Sequence, residues 1–251
     1  MMKKIATALF CTSALFASAS GMAKDLKVAS NPTFPPFEFV NSQTKAITGF
    51  EMELIDAMGK QAGYHVVIQN MGFDGIIPAI LSGTIDVGAS GFSVTEERKK
   101  KVLFTEPFYE SGLTILTTKA NKDTIKSFAD LKGKKIAVQI GTTAASKAKE
   151  IEGAQISTFN HAGEAILELH NGGVDAVIND KPVTDYILTQ QPKLAAEMIH
   201  LPEKLTADPM AMVVAKTNPA LQSELNKALE ALKANGQYQA IYQKWFGNQA
   251  Q

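Results

Sequence analysis

Short runs of aliphatic and β-branched residues alternate along the chain with segments whose apolar residues recur every three or four positions. The short runs predict strands over 26–29, 66–69, 87–90, 114–117, 136–139, 174–178 and 212–215. The helix-period segments between them predict helices over 51–62, 76–81, 144–150, 164–170, 181–190 and 220–234. In the last of these, Leu221, Leu225, Ala228, Leu229 and Leu232 share one face, which reads as a core stripe. Asn218-Pro219 starts that helix and Gly236 stops it. Strands alternating with helices give an α/β fold with mainly parallel sheets.

A faint internal repeat refines this. Leu81-Ser82-Gly83-Thr84-Ile85-Asp86-Val87 and His170-Asn171-Gly172-Gly173-Val174-Asp175-Ala176 share a helix, a glycine stop, a turn and a strand entry, with the two glycines 89 residues apart. Just beyond each copy, at Gly91 and at Asn179-Asp180, the chain reaches the carboxyl end of a strand, where open α/β sheets bind ligands. Two such units facing each other would form a cleft.

The chain has 251 residues and a mass of 27.0 kDa, enough for one large domain or two ordinary ones. With 45% hydrophobic and 20% charged residues, a buried core is expected and disorder is excluded as the main state. Twenty-five basic residues balance 25 acidic ones, which argues against nucleic-acid binding, where affinity comes from neutralising phosphates. Residues 1–23 read as a secretory signal peptide: Lys3 and Lys4, an apolar run over 5–17, then small residues ending at Ala23. The run is too short for a permanent membrane anchor, so the expected product is a soluble periplasmic protein of 228 residues with formal charge −2. Cys11, the only cysteine, lies in that leader, with bulky Phe10 before it where a lipoprotein signal needs a small residue. Thiol nucleophiles and zinc–thiolate sites are thereby excluded from the mature chain, and no metal or cofactor site is expected.

Polar groups able to build a small-molecule site cluster at strand ends. Residues 90–98 combine Gly91, which lets the backbone approach a ligand, with Ser93, Thr95 and Arg98. The planar fork of arginine matches a carboxylate. Arg98 could equally pair with Glu96 or Glu97 on a solvated surface. Gln139-Ile140-Gly141-Thr142-Thr143 opens a helix whose free N–H groups can hold an anion, though the threonines could simply be caps. Asp180 reads either as a helix cap or as an acceptor for an ammonium group. Phe34 and Phe73 lie in Pro/Gly-punctuated loops and are candidate ligand walls, whereas Phe37 and Phe39 read as packing residues.

Taken in order, these segments resemble a known family. Val28-Ala29-Ser30-Asn31-Pro32-Thr33-Phe34-Pro35-Pro36-Phe37-Glu38-Phe39, Gly49-Phe50-Glu51, Phe73-Asp74-Gly75-Ile76-Ile77-Pro78-Ala79, the 91–98 stretch, Gly141-Thr142-Thr143 and Asn235-Gly236-Gln237-Tyr238 through Trp245-Phe246-Gly247 are similar to the periplasmic polar amino acid-binding proteins of ABC importers. The match runs through essentially the whole mature chain. It implies a two-lobed type II periplasmic binding protein fold, with two α/β lobes joined by two hinge strands. Lobe one would be 24–108 with 211–251, lobe two 109–210, and the crossings would lie near 108–112 and 206–210.

The resemblance also implies roles. Arg98 with the Ser93 and Thr143 N–H groups would take the ligand α-carboxylate. Asp180, the Gly91 carbonyl and the Ser93 hydroxyl would take the α-ammonium, and Phe34 and Phe73 would sandwich the side chain. Asn31, Phe92, Gln139, Thr142 and Asn179 complete the expected set. The implied partners are an L-amino acid and a membrane permease, with the protein a monomer. Relatives for basic amino acids and for glutamine often carry an acid in place of Asn31, and glutamine binders carry lysine for Gln139 and histidine for Asn179. The loss of the lysine favours a cationic ligand and the loss of the acid disfavours it. Stacking of Phe34 and Phe73 on a guanidinium, worth about 0.5–2 kcal/mol per contact, slightly favours arginine, with glutamine the alternative. A different class remains open, because some relatives are secreted cyclohexadienyl-type dehydratases. However, Glu38 and His161, the acids on offer, have no partner at a recognisable spacing, and no enzyme is expected. A membrane-receptor sensor domain fits poorly, since no spanning segment follows Gly247.

Overall fold

The structure, a computed structural model, describes residues 23–206 and 208–247; the expected leader, with Cys11, lies outside the described residues except for Ala23. Two five-stranded sheets form the two lobes. In the first, the order is Tyr64–Asn70, Lys24–Ser30, Val87–Gly88, Val213–Ala215, Val102–Phe104. In the second it is Gln155–Phe159, Lys135–Gln139, Ala176–Asp180, Leu113–Thr118, Met198–His200. Each sheet has three parallel strands, then a fourth that runs antiparallel, then a fifth antiparallel to the fourth. The two lobes are therefore the same device built twice.

The repeat is physical. Each copy ends a helix, Phe73–Leu81 or Ala162–His170, and turns through a left-handed glycine, Gly83 (φ 74°) or Gly172 (φ 77°). A side-chain cap on the neighbouring strand follows. Asp86 accepts the Lys27 N–H at 2.9 Å, and Asp175 accepts the Lys135 N–H at 2.8 Å. Without those carboxylates the Lys27 and Lys135 N–H groups of the two leading strands would lose these partners.

All seven predicted strands and six predicted helices are present, with shifted ends. Edge strand Gln155–Phe159 escapes the periodicity because it is mostly polar and exposed, whereas Val102–Phe104 and Met198–His200 escape because three residues are too short a run to read. Helix Phe73–Leu81 begins three residues earlier than expected, so Phe73 is a helical residue and not a loop aromatic. Strand Ala176–Asp180 ends two residues later than expected, which places Asn179 and Asp180 inside it. Helix Gln237–Phe246, unpredicted, follows the left-handed Gly236 and lays Tyr238, Tyr242 and Phe246 on Phe50, with ring centroids 6.0, 5.9 and 5.1 Å away. That aromatic cluster, with fully buried Phe37, anchors the C-terminal segment to the first lobe.

Between the sheets, Tyr109–Glu110 pairs antiparallel with Pro209–Met210, and Met210 also bridges to Ser93. Two crossing strands tied side by side can bend together while the sheets on either side stay rigid. Among the described residues no helix is long and apolar enough to cross a membrane.

Candidate functional site

One narrow, partly open cavity lies where the carboxyl ends of the two sheets meet. It is lined by Asn31, Phe34, Glu38, Phe73, Ser90, Gly91, Ser93 and Arg98 from one side and Gln139, Thr142, Thr143 and Asp180 from the other. Ten of the twelve sequence-predicted residues are thus brought together.

Arg98 does not pair with its acidic neighbours. Glu96 is engaged by Lys99 and Glu97 by Lys101, while the Arg98 guanidinium donates from Nη1 to the Ser93 carbonyl (2.8 Å) and from Nη2 to the Gly141 carbonyl (3.1 Å). Its base is fixed by the Thr95 hydroxyl, which caps the short helix Glu96–Lys99 by accepting the Arg98 N–H at 3.2 Å. The guanidinium lies 5.2 Å from the Phe92 ring centroid and 5.5 Å from that of Phe73, and those two rings stack at 4.6 Å. Burial lowers its pKa to about 10, and Asp180 and nearby acids hold it up, so it stays cationic at neutral pH.

Asp180 stands at the N-cap position of helix Lys181–Gln190, yet its side chain makes no cap hydrogen bond. Instead Oδ1 accepts the Ser111 hydroxyl at 2.6 Å, from the segment just after the crossing strand. Burial, with a further push from Asp208, raises its pKa from 3.8 to about 7, against the opposing pull of Ser111 and Arg98. A largely desolvated carboxylate held this way is ready to accept a cation.

The threonines serve both alternatives left open above. Thr142 Oγ1 accepts the Ala145 N–H (3.2 Å) and donates to the Gln139 carbonyl (2.8 Å), an ordinary cap for helix Thr143–Lys149. Thr143 opens that helix, where an N–H has no intrahelical acceptor, and its hydroxyl meets Ser93 Oγ at 3.5 Å from the opposite wall. Gly141, with φ 76°, packs so closely on Asp74 that a Cβ there would sit 3.1 Å from the aspartate's own Cβ.

Two predicted residues do not reach the cavity lining. Phe92 is 1% exposed and turned into the core beneath Arg98, since neighbours on an extended segment face opposite sides. The same alternation turns Asn179 away from Asp180: its Nδ2 donates to Thr184 Oγ1 at 3.2 Å. Phe92 supports the cation; Asn179 supports the helix behind the acid.

Two lining residues, Glu38 and Ser90, were missed. In the hairpin of Thr33–Phe34 and Glu38–Val40, Phe34 lies directly opposite Glu38, so a cavity-facing Phe34 brings Glu38 to the same face. That register is what a reading of periodicity lacks. Glu38 is fully buried, its Oε1 accepts the Ser90 hydroxyl at 3.3 Å, and buried Glu51 is a charged neighbour that helps raise its pKa. His161 instead forms a capping box with Glu164, away from the cavity lining.

Residues 26–248 match the bacterial extracellular solute-binding proteins, family 3. The chain belongs to that family. Among relatives of this solute-binding protein, the ABC transporter arginine-binding protein 1 of Escherichia coli K12 is 34% identical, covering 98% of this chain and 99% of the relative. An ancestral arginine-binding protein solved with arginine superimposes with a TM-score of 0.85 at 41% identity, covering 90% of this chain and all of the other; the same figures hold for an ancestral arginine-binding protein bound to glutamine. An ancestral amino acid-binding protein, a precursor of cyclohexadienyl dehydratase, superimposes with a TM-score of 0.80 at 39% identity, covering 88% and 95%. The two lobes and hinge pair are thus the periplasmic binding protein architecture.

Proposed function

We propose that this solute-binding protein captures a polar L-amino acid in the periplasm and presents it, as a monomer, to the permease of an ABC importer. The observation that carries the reading is a fixed cation and a fixed anion, Arg98 and Asp180, on the wall of one narrow cavity. A zwitterion has a carboxylate for the first and an ammonium for the second, and each desolvated charge on the protein then finds a partner. The Ser93 and Thr143 N–H groups join Arg98 on the carboxylate, and the Gly91 carbonyl and Ser93 hydroxyl join Asp180. We read 24–108 with 211–251 as one lobe and 109–210 as the other, so that the ligand is held by both.

Arginine is favoured over glutamine. Phe34 offers an aromatic wall for a guanidinium, and no cation lies at the Asn31–Gln139 end. Support comes from relatives described as arginine-binding, and the glutamine-bound ancestral neighbour keeps glutamine as the alternative. A dehydratase reading draws on the precursor neighbour and on Glu38, a buried acid lining the cavity. Yet one Glu38 oxygen accepts the Ser90 hydroxyl and its carboxyl is set against buried Glu51, while Asp180, the other lining acid, is taken up with the ammonium, so neither is left to deliver a proton to a ligand.

A thermal-shift screen with the twenty L-amino acids tests the reading. Strong stabilisation by arginine or glutamine is expected. No stabilisation by any amino acid, or turnover of a cyclohexadienyl acid, would overturn it.

A further inference from the structure

Behind the cavity wall two hydrogen-bonded segments meet at a pair of buried carboxyls that no ligand role accounts for. The Asn31 N–H donates to Ser90 Oγ at 2.9 Å, and the Ser90 hydroxyl passes on to Glu38 Oε1 at 3.3 Å. The Glu38 and Glu51 carboxyls are neighbours that act on each other's charge, and Glu51 Oε2 accepts the Gly91 N–H at 2.7 Å. The outer end of each segment is a backbone N–H group of a cavity-lining residue. Glu38 Oε2 and Glu51 Oε1 are left without a hydrogen-bond partner and both side chains are fully buried, so a proton placed between those two oxygens would satisfy both. Two carboxyls can join only if a proton lies between them.

We propose that Glu38 and Glu51 are positioning residues for the ammonium side of the cavity: the proton they share joins these segments and fixes the Gly91 peptide against the ligand. The proposal rests on the amino-acid reading above. Gly91 needs such a hold because it adopts φ 60°, and it is wedged so that a Cβ would lie 3.1 Å from the Phe34 ring and 3.6 Å from Glu38 Oε1.

The electrostatics agree with the geometry. Burial raises Glu38 well above the usual carboxylate range, helped by Glu51 and, more weakly, Asp180. Burial raises Glu51 to about 8, opposed by the Gly91 N–H and by neighbouring Glu38. Burial thus disfavours charge on both carboxyls, and Glu51 stands in the first turn of helix Phe50–Gln61, where the helix dipole favours the more anionic partner. Asp180 is the remaining titratable group acting on the pair, and no cationic side chain is among the groups that shift either carboxyl. Loss of the proton at alkaline pH would leave two buried like charges in contact and break the link between the segments.

Glu51→Gln separates this role from mere packing. Its amide can accept the Gly91 N–H and donate to Glu38 at every pH, so the link no longer needs a shared proton. Arginine and glutamine affinities measured by calorimetry from about pH 6 to about pH 9.5 should stay near wild type in Glu51→Gln at neutral pH. Wild type should then fall about tenfold further than Glu51→Gln by the alkaline end. The ligand's own ammonium titrates identically for both proteins and cancels. Glu51→Ala should bind about tenfold or more weakly at neutral pH; if it fails to fold, the comparison of wild type with Glu51→Gln carries the test. Superimposable pH profiles for those two, or normal affinity in folded Glu51→Ala, would overturn the positioning role while leaving the amino-acid reading intact. Binding of neither amino acid by wild type at any pH would remove the amino-acid reading and this proposal with it.

Discussion

Gln139 Nε2 donates to Asn31 Oδ1 at 3.1 Å, a side-chain bond between residues at the carboxyl ends of the leading strands of opposite lobes. Gln139 also donates to the Asn160 carbonyl at 3.1 Å, while Asn31 Oδ1 accepts the Thr33 hydroxyl at 2.6 Å and Asn31 Nδ2 donates to the Met71 carbonyl at 3.2 Å. The two amides are thus locked in orientation, and this end of the cavity is polar without charge. Selectivity here rests on what charge the ligand brings.

From this follows a pair of opposed substitutions. Asn31→Asp adds a carboxylate and should strengthen arginine binding, while Gln139→Lys adds a like charge and should weaken it, each by about tenfold, the scale of one charged neighbour. Glutamine should respond far less to Gln139→Lys. Calorimetry of both ligands on wild type and the two variants checks this, and a wild type that prefers glutamate or an aliphatic amino acid would show the pocket to be wrongly assigned.

The charged anchors should carry most of the affinity. Leaving one side of a desolvated ion pair unpartnered costs about 3–5 kcal/mol, so Arg98→Ala and Asp180→Ala should each weaken binding by about a hundredfold or more. Arg98→Lys should not restore it, because lysine cannot hold the Ser93 and Gly141 carbonyls and face a carboxylate at once. Near-wild-type affinity in any of the three, measured on protein with native circular dichroism, would contradict the anchor role.

How far the sequence reaches can be seen at Asp86 and Asp175. Their shared surroundings were visible as a weak repeat, and each caps the leading strand of its own lobe, so local chemistry repeated in sequence did report repeated architecture. Arg98, Asp180 and Gly91 were legible because they sit where strands end. Glu38 and Ser90 were not, because their place depends on the Phe34–Glu38 register and on a carboxyl pair made by residues from a hairpin and a helix. Asn179 and Phe92 erred the other way. Each neighbours a true lining residue, and pleating sends its side chain to the opposite face.

Asp180 should give ligand binding an acid limb. Its pKa in the protein is raised from 3.8 to about 7, and the ammonium-binding form is the carboxylate. Affinity is therefore full above pH 7 and declines as pH falls through it, by about tenfold per unit. For folding without ligand the sign is reversed: the native state holds the proton that the unfolded chain has released, so stability declines as pH rises from 3.8 to about 7. Asp180→Asn should bind weakly at all pH values and lose the acid limb. A limb of the same slope in that variant, by calorimetry between about pH 5 and pH 8, would assign it to another group.

Closure itself should be measurable. The cavity is completed by direct contacts between its two walls: Gln139 with Asn31, Thr143 with Ser93, and Arg98 with the Gly141 carbonyl. Each joins residues on opposite sides of the Tyr109–Glu110 and Pro209–Met210 pair, so opening the hinge breaks all three at once. Three polar contacts, one buried, one part-buried and one exposed, each worth about 0.5–1.5 kcal/mol net, oppose the gain in hinge freedom on opening. The free protein should therefore sample open states, and a ligand that binds Arg98 and Asp180 together should draw the population to the closed one. The X-ray scattering radius of gyration should fall when arginine or glutamine is added to wild type. Asp180→Ala should show no such fall at the same ligand concentration. An unchanged radius in wild type at saturating ligand, together with an initial radius larger than the closed structure predicts, would show that binding does not work by closing these lobes.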